Sequence, residues 1–120
     1  MIAHADAVAA LITAAGGNGL LADDLKRTPS TTYTEVYVMA KPERNGRVGC
    51  LGLDARRILT RTVSTSQRKA ERERAAADLS GLSFTVDGET FGPLRRESTD
   101  DAIADDGDGR WVGVATWVYA

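Results

Sequence analysis

A chain of 120 residues, 42% of them hydrophobic, with a formal net charge of −2 can build one domain with an ordinary core, and it lies too near neutrality to wrap nucleic acid as its main task. Its one cysteine, Cys50, excludes an intrachain disulfide and a cysteine metal site, and reads as a small packed thiol. No run approaches the ~20 apolar residues of a membrane helix, and no basic residues precede the apolar start, so neither a membrane partner nor export by the standard route is expected.

Residues 3–15 are predicted as a helix, because Val8, Leu11, Ile12 and Ala15 recur at the spacing of one buried face. Gly16, Gly17 and Gly19 close it. Residues 20–27 are expected as a short helical turn or an irregular arm ending at Pro29. TTYTEVYVMA (31–40) is the clearest strand, β-branched and aromatic between Pro29 and Pro42. The stretch 41–53 holds Asn45-Gly46, Gly49 and Gly52 and is expected as a long projecting loop. A second strand (55–64) returns antiparallel to the first. Ser64, Thr65 and Ser66 each offer an N-cap for a helix over 67–79. Arg72, Ala75, Ala76 and Leu79 are its expected buried stripe, while Lys69 with Glu73 and Arg74 with Asp78 pair on its surface.

LSFTVDGETF (82–91) is a hairpin turning at Asp87-Gly88 and ended by Pro93. A basic pair follows, then an acidic loop (97–109), then the terminal strand RWVGVATWVYA (110–120). In that strand Val112, Val114 and Val118 point one way and Trp111, Trp117 and Tyr119 the other. The fold class is α+β in a single domain, a small mixed or antiparallel sheet of four to five strands with two main helices packed on one face. Two short helices cannot cover both apolar faces of such a sheet, so a neighbouring subunit is expected on the second.

Catalysis has little to stand on. His4, the only histidine, reads as a partly exposed terminal residue and not a general base. Gly16-Gly17-Asn18-Gly19 lacks both the P-loop lysine and the GxGxxG spacing, so neither an enzyme nor a cofactor is expected. Asp101, Asp105, Asp106 and Asp108 are hard oxygen ligands without an EF-hand register, and a solvated loop is the default. Charge is segregated: seven cations against four acids between Asp54 and Asp78, then six acids and no base between Glu97 and Asp108. Head-to-tail contacts between such patches close into rings when the rotation permits. The candidate subunit interface is therefore Arg56, Arg57, Arg61, Arg68 and Arg72 with Asp100, Asp101, Asp105 and Asp106, joined by Trp111, Trp117 and Tyr119. The alternative from a different class is a small nucleic-acid-binding protein using the arginines of 56–74.

This order of strand, helix, hairpin, acidic loop and aromatic closing strand resembles the tail-terminator proteins of long-tailed bacteriophages. TTYTEVYVMA and ILTRTV look like that family's central strands, and the segment after Thr65 like its second helix. The resemblance implies a homo-oligomeric ring, commonly a hexamer, at the head–tail junction of the virion. Such a ring caps the tail-tube protein, stops tube elongation and meets the head-completion proteins, while viral DNA passes through its channel without specific binding. Arg44, Asn45, Arg47, Val48 and Leu51 in the glycine-rich loop are the candidate contacts to the adjoining ring. The acidic loop would face the channel or the subunit interface. A head-completion stopper, another neck protein, fits the same elements.

Overall fold

The computed structural model describes residues 2–21, 32–38, 56–97, 103–105, 107 and 109–119. In chain order its elements are α1 (Ile2–Ala14), β1 (Gly19–Leu21), β2 (Thr32–Val38), β3 (Arg56–Ser64), α2 (Gln67–Ala76), β4 (Phe84–Val86), β5 (Glu89–Phe91), β6 (Arg95–Arg96), β7 (Ala104–Asp105) and β8 (Trp111–Tyr119). The fold is α+β. One mixed sheet runs β1-β2-β3-β8, with β6 and β7 both paired to the far edge of β8, and β4-β5 form a separate hairpin. The projecting loop at 41–53 and most of the arm at 20–27 lie outside the described residues.

The centre of the sheet follows from β-branched and aromatic alternation. β3 and β8 pair antiparallel along their whole length, from Arg56 opposite Tyr119 to Ser64 opposite Trp111. β2 pairs antiparallel with β3 from Thr32 opposite Ser64 to Val38 opposite Ile58. β1, which replaces the start of the expected arm, is parallel to β2. At three residues it is too short for alternation to reveal it.

α1 buries His4, Ala5, Val8, Ala9 and Ile12, while Ala15 stays exposed. The buried face is therefore turned toward the N-terminus of the predicted one. The small residues at 5 and 9 permit the helix to lie against β1. A Cβ at Gly19 would stand 2.4 Å from the Ala9 carbonyl oxygen, so only glycine allows this approach.

α2 is built from strong helix formers and is capped by Ser66, whose Oγ accepts the Lys69 N–H at 3.4 Å. It ends at Ala76, earlier than the predicted 79. Ala70, Glu73 and Ala77 face inward, whereas Arg72 and Ala75 are exposed. The expected stripe through Arg72 is corrected by Glu73: its carboxylate turns to the sheet and is not available to pair with Lys69 on the surface. Asp78 lies past the helix end and accepts the Ser80 N–H at 3.1 Å.

Asp87 and Gly88 both have positive φ, 53° and 82°, the type I′ geometry of a two-residue hairpin. Phe84 and Phe91 stack from the two hairpin strands with centroids 5.7 Å apart and meet Tyr119 edge-on. Both helices and the hairpin lie on one side of the sheet. That side has an apolar half, where Val8, Ile12, Val36, Ile58 and Trp117 form the core with Leu79 and Leu94. Its other half is lined by hydroxyls: Thr32 bonds Ser64 at 2.8 Å, Thr34 bonds Thr62 at 3.1 Å, and Trp117 Nε1 donates to Thr60 at 3.0 Å. α2 lies on this half through Glu73, whose Oε2 accepts from the Thr34 hydroxyl at 3.2 Å and from the Asn18 N–H at 2.6 Å.

The expected acidic loop contains an edge strand. β6 pairs Arg96 with Trp117, and the Glu97 N–H reaches the Thr116 carbonyl at 2.8 Å. β7 then pairs Ala104 with Val112. The sequence advances from 97 to 104 while β8 runs only from 116 to 112, so the register jumps and the edge consists of two separate pieces.

Candidate subunit interface

Residues opposite one another in neighbouring strands share a face. The register therefore places Tyr33, Glu35 and Tyr37 of β2, Arg57, Leu59, Arg61 and Val63 of β3, and Val112, Val114, Thr116 and Val118 of β8 on the side away from the helices. No described helix or hairpin packs there. Tyr37 and Val114 are 36% and 38% exposed, while Glu35, Val63 and Val118 are buried.

Two acid–arginine arrangements organise this face. Glu35 accepts from Arg61 Nη1 at 2.7 Å and from the Tyr37 hydroxyl. That hydrogen bond, reinforced by burial and by the Glu35 charge, pushes the Tyr37 hydroxyl up to about 12. Arg57 grips Glu97 in a bidentate fork, with Nε and Nη2 2.9–3.0 Å from its oxygens. The fork holds the Glu97 carboxyl below its usual range. Each guanidinium is thereby fixed in place and locally neutralised.

The predicted interface residues separate into three groups. Arg57 and Arg61 stand on the face away from the helices. Arg68 and Arg72 are exposed on α2. The third group is a correction: Trp117 and Tyr119 are 1% and 3% exposed and belong to the subunit's own core. Odd positions of β8 point toward the helices, so these rings cannot meet a neighbour. Trp111, half-buried, and Arg56, whose guanidinium lies 5.5 Å over the Phe91 ring, share that side. Asp105 has its backbone in β7. Asp100, Asp101, Asp106 and Asp108, together with Arg44, Asn45, Arg47, Val48 and Leu51, lie outside the described residues.

His4 is a second correction, being buried and not a terminal surface residue. Its Nδ1 bonds the Tyr119 hydroxyl at 2.8 Å, and its ring sits 4.4 Å from Phe91 and 5.5 Å from Phe84 by centroid. Burial, then the Arg56 charge, lowers its pKa from the ordinary 6.5. The imidazole joins α1, the hairpin and β8.

Glu35 and Tyr37 were not singled out from the sequence, and Glu73 was expected only as a surface partner of Lys69. The first two had a signal, because TYTEVYV alternates and sets Tyr33, Glu35 and Tyr37 on one side. Glu73 had none: a carboxylate among arginines on a helix reads as solvated. Among the described residues no group of three or more His, Cys, Asp or Glu side chains could hold a metal ion, and no helix is long and apolar enough to cross a membrane. No protein-family model matches the chain, and no curated protein matches it significantly.

Proposed function

We propose that this chain is a phage tail terminator. It is a ring-forming structural protein that caps the tail tube, stops its elongation and joins it to the head-completion proteins, acting by binding and geometry and not by catalysis. The observation that carries this reading is the one-sided architecture. Both helices and the hairpin pack on one side of the sheet, and no described element packs on the other, where Tyr33, Tyr37, Val114, Arg57 and Arg61 gather. Tyrosine and arginine are the residue types enriched at protein interfaces, and lysine, depleted there, does not occur among the described residues of this face. Because Glu35 and Glu97 already engage the two arginines, the face suits a protein neighbour better than a polyanion. The order of elements, which resembles the tail terminators, supplies the rest of the reading.

Electron microscopy of lysates tests it, using the encoding phage with this gene disrupted. Tails of uncontrolled length beside filled, tailless heads are expected. Tails of normal length beside heads that leak DNA would move the role to the stopper. Normal infectious particles would overturn the structural reading.

A further inference from the structure

The cations between residues 54 and 78 are not equivalent once folded. Arg57 is engaged by Glu97, Arg61 by Glu35, and Arg56 lies over Phe91. Arg74 is half-buried and also engaged. Arg68, Lys69 and Arg72 are exposed and have no ion-pair partner among the described residues. Arg68 and Arg72 are one turn apart, hence on one side of α2, with Lys69 beside them. Glu73, which at i,i+4 would neutralise Lys69, is turned inward to Asn18 and Thr34. A helix with four cations and two acids in its sequence thus presents three cations outward against the single exposed acid Glu71.

Resting on the ring-forming reading above, we propose that this outward face of α2 receives the acidic stretch 97–108 of an adjoining copy. The complement is explicit in charge: that stretch carries six acids and no base, and Glu97 is the one already engaged by Arg57 among the described side chains. Two opposite patches on different elements attract head to tail and repel like to like, which favours a heterologous contact able to close a ring. A nucleic acid is the weaker occupant, because the chain's net charge of −2 and its own acidic stretch repel a polyanion. The contact is rim-like and wet, so salt must weaken it.

The test uses the full chain, with light scattering after size exclusion and negative-stain microscopy at low and high salt. Arg68→Glu with Arg72→Glu should weaken assembly roughly tenfold or more, as should Asp100→Lys with Asp101→Lys. All four substitutions together should restore it. Arg68→Gln with Arg72→Gln, which leaves helix propensity intact, should give an intermediate loss and guards against misfolding of the reversed pair. Rings that survive the α2 reversal overturn this contact and leave the terminator reading standing. A chain monomeric at every concentration and salt overturns both. Unchanged rings with loss of binding to a short duplex DNA probe would replace the contact by a nucleic-acid site.

Discussion

Replacing Glu73 by alanine removes the acceptor that ties α2 to the N-terminal part of the sheet. In the native fold Oε2 takes the Asn18 N–H at 2.6 Å and the Thr34 hydroxyl at 3.2 Å, at a site 8% exposed. The Thr34 hydroxyl keeps its bond to Thr62, so its loss is small. The Asn18 N–H loses a charge-assisted bond, for which about 1.5–3 kcal/mol is usual. The expected cost of Glu73→Ala is therefore about 2–3 kcal/mol. Glu73→Gln retains a carbonyl acceptor and should cost about half that. Urea unfolding followed by circular dichroism reads both. With a urea slope of roughly 1–3 kcal/mol per molar, alanine should lower the midpoint by about 1 M or more. The reasoning fails if alanine lies within about 0.5 kcal/mol of the native chain, the range of an ordinary surface substitution. It fails also if glutamine is as damaging as alanine, since the acceptor would then not be what matters.

Because His4 is the only histidine, stability between about pH 5 and 7 reports on it almost alone. With its pKa lowered from 6.5 by burial and by Arg56, the unfolded chain binds more protons than the folded one in this window. Stability should therefore be flat above it and fall as pH drops through 6.5. Urea midpoints at the two ends of the window should differ for the native chain and coincide for His4→Phe; an equal difference in both would refute the assignment. Gly19→Ala places a methyl group 2.4 Å from the Ala9 carbonyl oxygen and should cost about 1–3 kcal/mol by overpacking. An unchanged midpoint would mean that α1 can move off β1 freely.

The long strands were legible because each shows period-two alternation over enough residues to count. TYTEVYV, RRILTRTVS and WVGVATWVY all paired as β2, β3 and β8, and Asp87-Gly88 marked its hairpin by turn chemistry alone. Failure came where tertiary contact overrides local pattern. Glu73 and His4 are polar side chains that composition assigns to the surface, and each is buried because a distant partner, Asn18 for one and Tyr119 for the other, satisfies it. The face of α2 was misjudged for the same reason. Trp117 and Tyr119 were correctly separated from the valines of β8, but which side faced the helices cannot be read from one strand. The charge segregation was visible in sequence; which of its cations remain unengaged was not, because Glu35 and Glu97 lie in other strands.

The interrupted edge has a consequence for how copies of this chain can meet. A strand edge recruits another chain only if it offers an unbroken row of amide and carbonyl groups at constant spacing. Here β1 is three residues long, and the opposite edge is two fragments of two residues whose register jumps between Glu97 and Ala104. The first fragment is Arg95-Arg96, and charge on an edge opposes stacking further. Among the described elements, then, growth by adding sheet to sheet is blocked at both ends. Among these elements association is left to the faces of the sheet and to the helices, so a neighbouring copy would be met by side chains and not by shared backbone pairing.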